Sequence, residues 1–521
     1  MKRLAAMMIV MCAAAAYAQP APKQKAPVDP YADPAPVGPQ PPPGQPKKTP
    51  DPKAKPADPY RPAAPKADPK AAKTPIDPYG PKAPAVDPKA AKTPVDPYGP
   101  KTPAVDPKGP LAVKTPVDPY AVPAIPPRVI LTDVTAVQGL LAVQRLDGWL
   151  LFDRDGENPI ARRLVEPAGK PTRPWFYLIP AKGAPIALVH DAEKRSFEHL
   201  PGTKLTYGGY RDFDKQLRLV LKGARTIAVE YSPKAAVPNV SRIDAGTMEV
   251  IRATGVQVRS SDTLVQYTKA IWGDAGRTQH FIAVHHLVEL RKEALAFVVK
   301  QLTANQPVSE YDVQQRLTRG MTMRGLAGSP PVVAAGVNTA DPYYVPTAER
   351  TAPIRRGDLL VISLAAKVDK PEGIYAAQTW VAVADVFVRD DIKKAFETAT
   401  LARDQAVALI TDRTRKNRPV TGAEVDQSTR SFIKKAGFAD RVMHRTGHSI
   451  DSDLQGGGAD LDDYEVRDTR ILTPGTGFTV GPGLYTAGSF GVRTEVSVFL
   501  LPSGPEITTP AQDYIETLFK Q

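Results

Sequence analysis

More than half of the chain's 56 prolines are crowded between residues 19 and 127, and that crowding confines any packed fold to the residues after 127. Ten Asp-Pro steps and few apolar side chains leave this stretch without material for a core. A proline-dense backbone, short of amide donors, favours extended polyproline II. A repeat runs through it: Lys73-Thr-Pro-Ile-Asp-Pro-Tyr79, Lys92-Thr-Pro-Val-Asp-Pro-Tyr98 and a truncated copy from Lys114 to Tyr120. The stretch reads as a disordered, semi-rigid spacer that would reach on the order of 300 Å at roughly 3.1 Å per residue. Alternatively, its Asp-Pro-Tyr units are docking sites for an aromatic-lined groove.

Ahead of this arm, residues 1–18 read as a secretory signal peptide. Lys2 and Arg3 precede an apolar run from Leu4 to Ala16, and Ala16-Tyr17-Ala18 is a small-x-small cleavage site. Cys12, the only cysteine, lies inside it, so a mature chain starting at Gln19 would have no thiol for catalysis, metal ligation or disulfides. The expected location is the bacterial periplasm or beyond. No later segment is apolar for long enough to span a membrane. The formal charge of +13 thins out along the chain: residues 128–521 hold 50 basic and 45 acidic side chains. Such a surface is an ordinary solvated one, and nucleic acid is not an expected partner.

From Arg128 the composition turns globular. Trp149–Phe152, Trp175–Ile179, Ile186–Val189 and Ile227–Tyr231 are short apolar runs bounded by Gly, Pro and charge, and read as strands. Helical stretches near Arg211–Leu221 and Ile243–Thr254 separate or follow them, which predicts an α/β domain over 128–275. A second domain, 276–521, opens with a helix over His280–Leu302. Its three histidines, His280, His285 and His286, lack the i, i+4 spacing of a helical metal pair and are expected to serve packing or surface roles. A further helix is expected near Ile392–Ile410. Another should start at the capping box Thr421–Glu424 and end at Gly437. Residues 357–388 and 478–501 are strand-like.

Two stretches carry the chemistry: His444-Arg445-Thr446-Gly447-His448-Ser449-Ile450 and Gly491-Val492-Arg493-Thr494-Glu495. With Gly336-Val337-Asn338, Asp341-Pro342-Tyr343-Tyr344 and Ile354-Arg355-Arg356-Gly357-Asp358 in order, residues 128–521 resemble the pita-bread metallopeptidases, the family of aminopeptidase P, prolidase, methionine aminopeptidase and creatinase. The resemblance implies an α+β pita-bread C-terminal domain preceded by a creatinase-like N-terminal α/β domain. It also implies two divalent cations held by two aspartates, a histidine and two glutamates, which lower the pKa of a shared water and polarise the scissile carbonyl.

Carried over residue by residue, that ligand set is mostly missing. The aspartate positions fall on Ser363 and Ala377, and the first glutamate on Gly481; only His448 and Glu495 are retained. Two proton-handling histidines of the family fall on Tyr343 and Gln455. Asp451, Asp453, Asp460, Asp462 and Asp463 come soon after His448 and pose the question of a rebuilt site for a hard cation, the alternative being a solvated loop face. Gly447-His448-Ser449-Ile450-Asp451 is close to a serine-hydrolase nucleophile elbow but lacks its closing glycine. His448 and Glu495, released from metal, could hydrogen-bond each other or nearby backbone.

These residues point to a secreted, prolidase-like pseudo-peptidase without metal. Its cleft, lined by Tyr343, His444, His448, Arg493 and Glu495, would bind a peptide or an envelope partner, with homodimerisation as a family expectation. Two alternatives stay open. One is an active Xaa-Pro-type peptidase using Mn, Co or Zn through unusual ligands. The other is a structural envelope protein acting through its proline-rich arm. Docking of the Gln19-Pro20 terminus in a cleft is an extension of the first reading.

Overall fold

A computed structural model of the chain describes residues 128–520, Thr132 excepted. The signal peptide, the proline-rich repeats and the Gln19 terminus lie outside the described residues.

The first apolar run becomes the middle of a six-stranded mixed sheet. In spatial order its strands are Thr203–Tyr207, Ile186–His190, Trp175–Pro180, Gly148–Asp153, Thr226–Val229 and Gln257–Ser260. Gly148–Asp153 is buried along its whole length because both faces are covered, which is why it reads as a continuous apolar run. The two-residue period of a strand sorts its side chains. Trp149 and Leu151 pack with Val137, Leu141 and Ile160 on one face. Leu150 and Phe152 pack with Leu217 and Ile251 on the other. The expected strand Ile227–Tyr231 stops at Val229, where the chain turns Glu230 inward.

Glu230 is buried beneath that sheet with three donors: Trp149 Nε1 at 2.7 Å, Asn158 Nδ2 at 3.2 Å and Ser261 Oγ at 3.2 Å. Burial pushes its carboxyl up to about 7, against the pull of those donors. The folded chain therefore holds this proton where the unfolded chain has lost it. Stability from this group is full below about pH 4.5 and falls as pH rises through 7, by on the order of 2–3 kcal/mol. Thermal unfolding between pH 5 and 8 is expected to show that decline, and Glu230→Gln is expected to flatten it.

The second half opens with the helix Asp274–Thr303, which begins before the expected His280. Its first turn is polar, with Asp274 suiting the positive end of the helix dipole. A second helix, Glu310–Met323, lies behind the capping box of Ser309 and Asp312. Both pack on one face of a five-stranded sheet built on Leu359–Val368 and Ala376–Val383. Leu360, Ile362, Leu364 and Ala366 point to that helix pair. Leu359 and Val361 point the opposite way, toward the helix Asp390–Arg415 and the hairpin Gly483–Thr486/Phe490–Arg493. That helix extends past both ends of the expected Ile392–Ile410. Gly422–Lys435 starts at the expected box, with Thr421 N donating to Glu424 Oε2 at 2.8 Å. A four-stranded sheet holds Ser449–Ile450, Gly477–Val480, Val496–Leu501 and Gly504–Ile507 in that order.

The helical histidines part company. His280 is buried, its Nδ1 donating to Tyr375 O at 2.8 Å and its Nε2 meeting Thr508 Oγ1 at 2.7 Å. Burial pushes it down to about 4, so it is a neutral packing group. His285 is exposed. Among the described residues no helix is long and apolar enough to cross a membrane.

Candidate functional site

Strand alternation assembles the site. Ser363 shares the face of Leu359 and Val361, and its partner in the ladder is Thr379; Ala377 pairs with Ala365. A bridge between Thr379 and Glu495 brings in the C-terminal motif. Thr379 Oγ1 lies 2.9 Å from Glu495 Oε2 and 3.0 Å from Ser363 Oγ. A carboxylate only accepts, so the Thr379 hydroxyl donates to Glu495 and the Ser363 hydroxyl donates to Thr379. Arg493 Nη2 donates to the other oxygen, Oε1, at 2.5 Å. Glu495 is 4% exposed. Burial works to raise its carboxyl, but Arg493 and His448 beside it prevail and hold it below its usual range.

His448 is brought in by the strand Ser449–Ile450. The preceding Gly447 lies so close to the neighbouring strand that a Cβ there would stand 1.9 Å from Thr479 O, which explains a glycine inside this motif. His448 Nδ1 donates to Ser449 O at 3.1 Å, leaving the lone pair on Nε2. Burial lowers its pKa and favours the neutral ring, although Glu495 opposes this. His448 and Glu495 thus find separate partners and not each other.

Of the five residues expected to line the cleft, Arg493 lines the small cavity beside Ser363, while Glu495 and His444 are buried. His444 Nδ1 donates to Arg445 O at 2.7 Å, which leaves Nε2 to accept from Tyr485 OH at 2.8 Å. Burial, with Arg493 nearby, pushes it down to about 3. Tyr485, not His444, lines the small cavity of about 50 Å³ above the site, together with Ser363, Thr379, Asp341 and Arg493. Tyr343 is 69% exposed, and Arg445 and Arg493 are among the charges acting on it. Gln455 is exposed and accepts from Arg445 Nη2.

The aspartates after His448 do not converge. Asp451 is held by Lys269, Asp460 receives Ser449 N at 2.8 Å and Arg445 Nη1 at 3.1 Å, and Asp462 caps Tyr464 N and Glu465 N. Asp453 is exposed beside Lys269, and Asp463 is partly buried beside Arg467. Most of these acids are therefore buried and spoken for, which corrects the picture of a solvated loop face. Ser449 lies on a strand with Oγ accepting from Gly458 N at 3.0 Å, so the elbow-like sequence forms no elbow.

A pair of divalent cations, which the resemblance implies, does not fit these side chains. Position 377 ends in a methyl group, position 481 has no side chain, and Glu495 is already paired with Arg493. Among the described residues no group of three or more His, Cys, Asp or Glu is placed to hold a metal ion.

Motif, ladder and hairpin together have the pita-bread architecture. Residues 283–500 match the model of metallopeptidase family M24, so this part of the chain is similar to that family. It is 28% identical over 212 residues to the uncharacterized peptidase YqhT of Bacillus subtilis, covering 40% of this chain and 55% of that protein. It is 25% identical over 195 residues to an Xaa-Pro dipeptidase of Lactobacillus helveticus, covering 37% of this chain and 47% of that one. The chain thus spans about half the length of these relatives. Among solved structures, dipeptidase PepE from Mycobacterium ulcerans superposes with a TM-score of 0.58 at 20% identity, over 74% of this chain and 96% of that one. The protein is prolidase-like in sequence and fold.

Proposed function

We propose that this chain is a metal-free pseudo-peptidase of the cell envelope that binds peptides in its cleft without cleaving them. One observation carries the reading: Ser363, Ala377 and Gly481 supply no carboxylate, while the retained Glu495 is satisfied by Arg493 and Thr379. Clustered carboxylates without cations would repel one another and resist burial, so their absence suits a metal-free site. The Xaa-Pro dipeptidase among the relatives suggests the ligand class, a peptide with proline second. The secretory signal read in residues 1–18 supports a periplasmic location.

Calorimetric titration with an alanyl-prolyl tripeptide tests the proposal, first in EDTA and then with Mn²⁺, Co²⁺ or Zn²⁺. The expected result is binding of equal strength in each buffer and no turnover. Tyr343→Ala, at the exposed rim, is expected to weaken binding roughly 10-fold. Absence of binding overturns the reading, as does metal-dependent cleavage that disappears when His448 and Glu495 are replaced.

A further inference from the structure

Gly481 and Glu495 stand one step beyond Val480 and Val496, the last pair of the ladder between Gly477–Val480 and Val496–Leu501. Side chains that face each other across antiparallel strands ordinarily hold their Cβ atoms about 4.5–5.5 Å apart. A Cβ built on Gly481 would lie 2.9 Å from both Cβ and Cγ of Glu495, and 3.3 Å from its Cα. These are inner atoms of the glutamate, which cannot swing aside as a side-chain tip can.

Both backbones are also held from outside. Gly481 N donates to Thr446 O at 2.7 Å, Thr379 N to Glu495 O at 3.3 Å, and Thr494 N to Pro482 O at 3.3 Å. The carboxylate of Glu495 is fixed in turn by Arg493 and Thr379. Relief at this point therefore requires the strands themselves to part.

We infer that the glycine has let the two strands close over the volume a second carboxylate needs, so that restoring the carboxylates does not restore a metal centre. The inference rests on the metal-free reading of the cleft and adds that the loss is built into the backbone. Ser363 and Ala377 differ in this respect, since the ladder between their strands is regular through Val383.

Two measurements test it. Gly481→Ala is expected to melt roughly 3–8 °C below the unaltered protein. In a double-mutant cycle, Glu495→Gly is expected to recover part of that loss, because it removes the atoms in collision. In calorimetry with Mn²⁺, the Ser363→Asp/Ala377→Asp/Gly481→Glu protein is expected to show no stoichiometric uptake. If that triple variant fails to fold, the alanine cycle decides alone. A Gly481→Ala protein that melts with the unaltered one, or a triple variant that takes up Mn²⁺ stoichiometrically while the unaltered protein does not, overturns the inference. Uptake by the unaltered protein overturns the metal-free reading itself, and this inference with it.

Discussion

Lys269→Met will cost about 3–5 kcal/mol of stability, because it strands a carboxylate that has no water to turn to. Lys269 sits on the π-helical turn Gln266–Ala270, with its side chain 5% exposed. Its Nζ lies 2.7 and 2.8 Å from the two oxygens of Asp451, which is fully buried, and 3.0 Å from the more exposed Asp453. Burial works to lower the Lys269 pKa, but Asp451 and Asp453 prevail and raise it, so Lys269 keeps its charge. Asp451 also accepts from Asp453 N and Gly457 N, and Trp272 Nε1 bonds Ile450 O at 3.0 Å. The chain leaving the N-terminal sheet is thus riveted to the loop that carries His448. Chemical denaturation should show the loss directly, with a fall in melting temperature of roughly 5–10 °C. Adding Asp451→Asn should recover much of it, since the stranded charge is then gone. Equal losses in the single and double variants would show that the pair's worth lies elsewhere.

Glu310→Ala is the second large effect. Glu310 is completely buried at the start of its helix and accepts from Ala335 N at 2.6 Å, Ala352 N at 2.7 Å, Asn338 Nδ2 and the Tyr344 hydroxyl. Burial, reinforced by this carboxylate, pushes the Tyr344 phenol up and keeps it a donor. Truncation leaves three donors without an acceptor and the Tyr344 hydroxyl with only Arg350 O at 3.3 Å, at a cost of about 2–4 kcal/mol. Glu310→Gln is no remedy, because its amide would point a donor at donors. The segment 336–344, which brings Asp341 and Tyr343 to the cleft, is expected to lose its anchor. Hydrogen exchange at the Ala335 and Ala352 amides should quicken while amides in Gly148–Asp153 stay protected.

Much of this architecture is legible in one dimension where burial is one-sided or complete. The Trp149–Phe152 run announces a strand covered on both faces, and Thr421 with Glu424 announces a helix start. Thr203–Tyr207 and Gln257–Ser260 give no such signal, since edge strands keep polar, partly exposed side chains. The helix Glu310–Met323 escapes a reading of the sequence although Ser309 and Asp312 form its box; the short aspartate in place of glutamate hides it. In the site, the neighbourhood of Arg493 and Glu495 is local and readable. The partnership of Lys269 with Asp451, 182 residues apart, is not, because only the assembled topology brings them together. The burial of His444 is hidden for a related reason: a motif tells which residues travel together but not which way each side chain turns.

The strand Leu359–Val368 divides its labour by parity. Its even-numbered side chains secure it against a helix pair, while Ser363 on the odd side faces the cleft. Chemistry written on one side of such a ribbon can be erased without loosening the side that holds it in place. A change at Ser363 therefore alters what the cleft offers while the wall behind it stays bolted to its helices, so this position is free to vary at little risk to the fold.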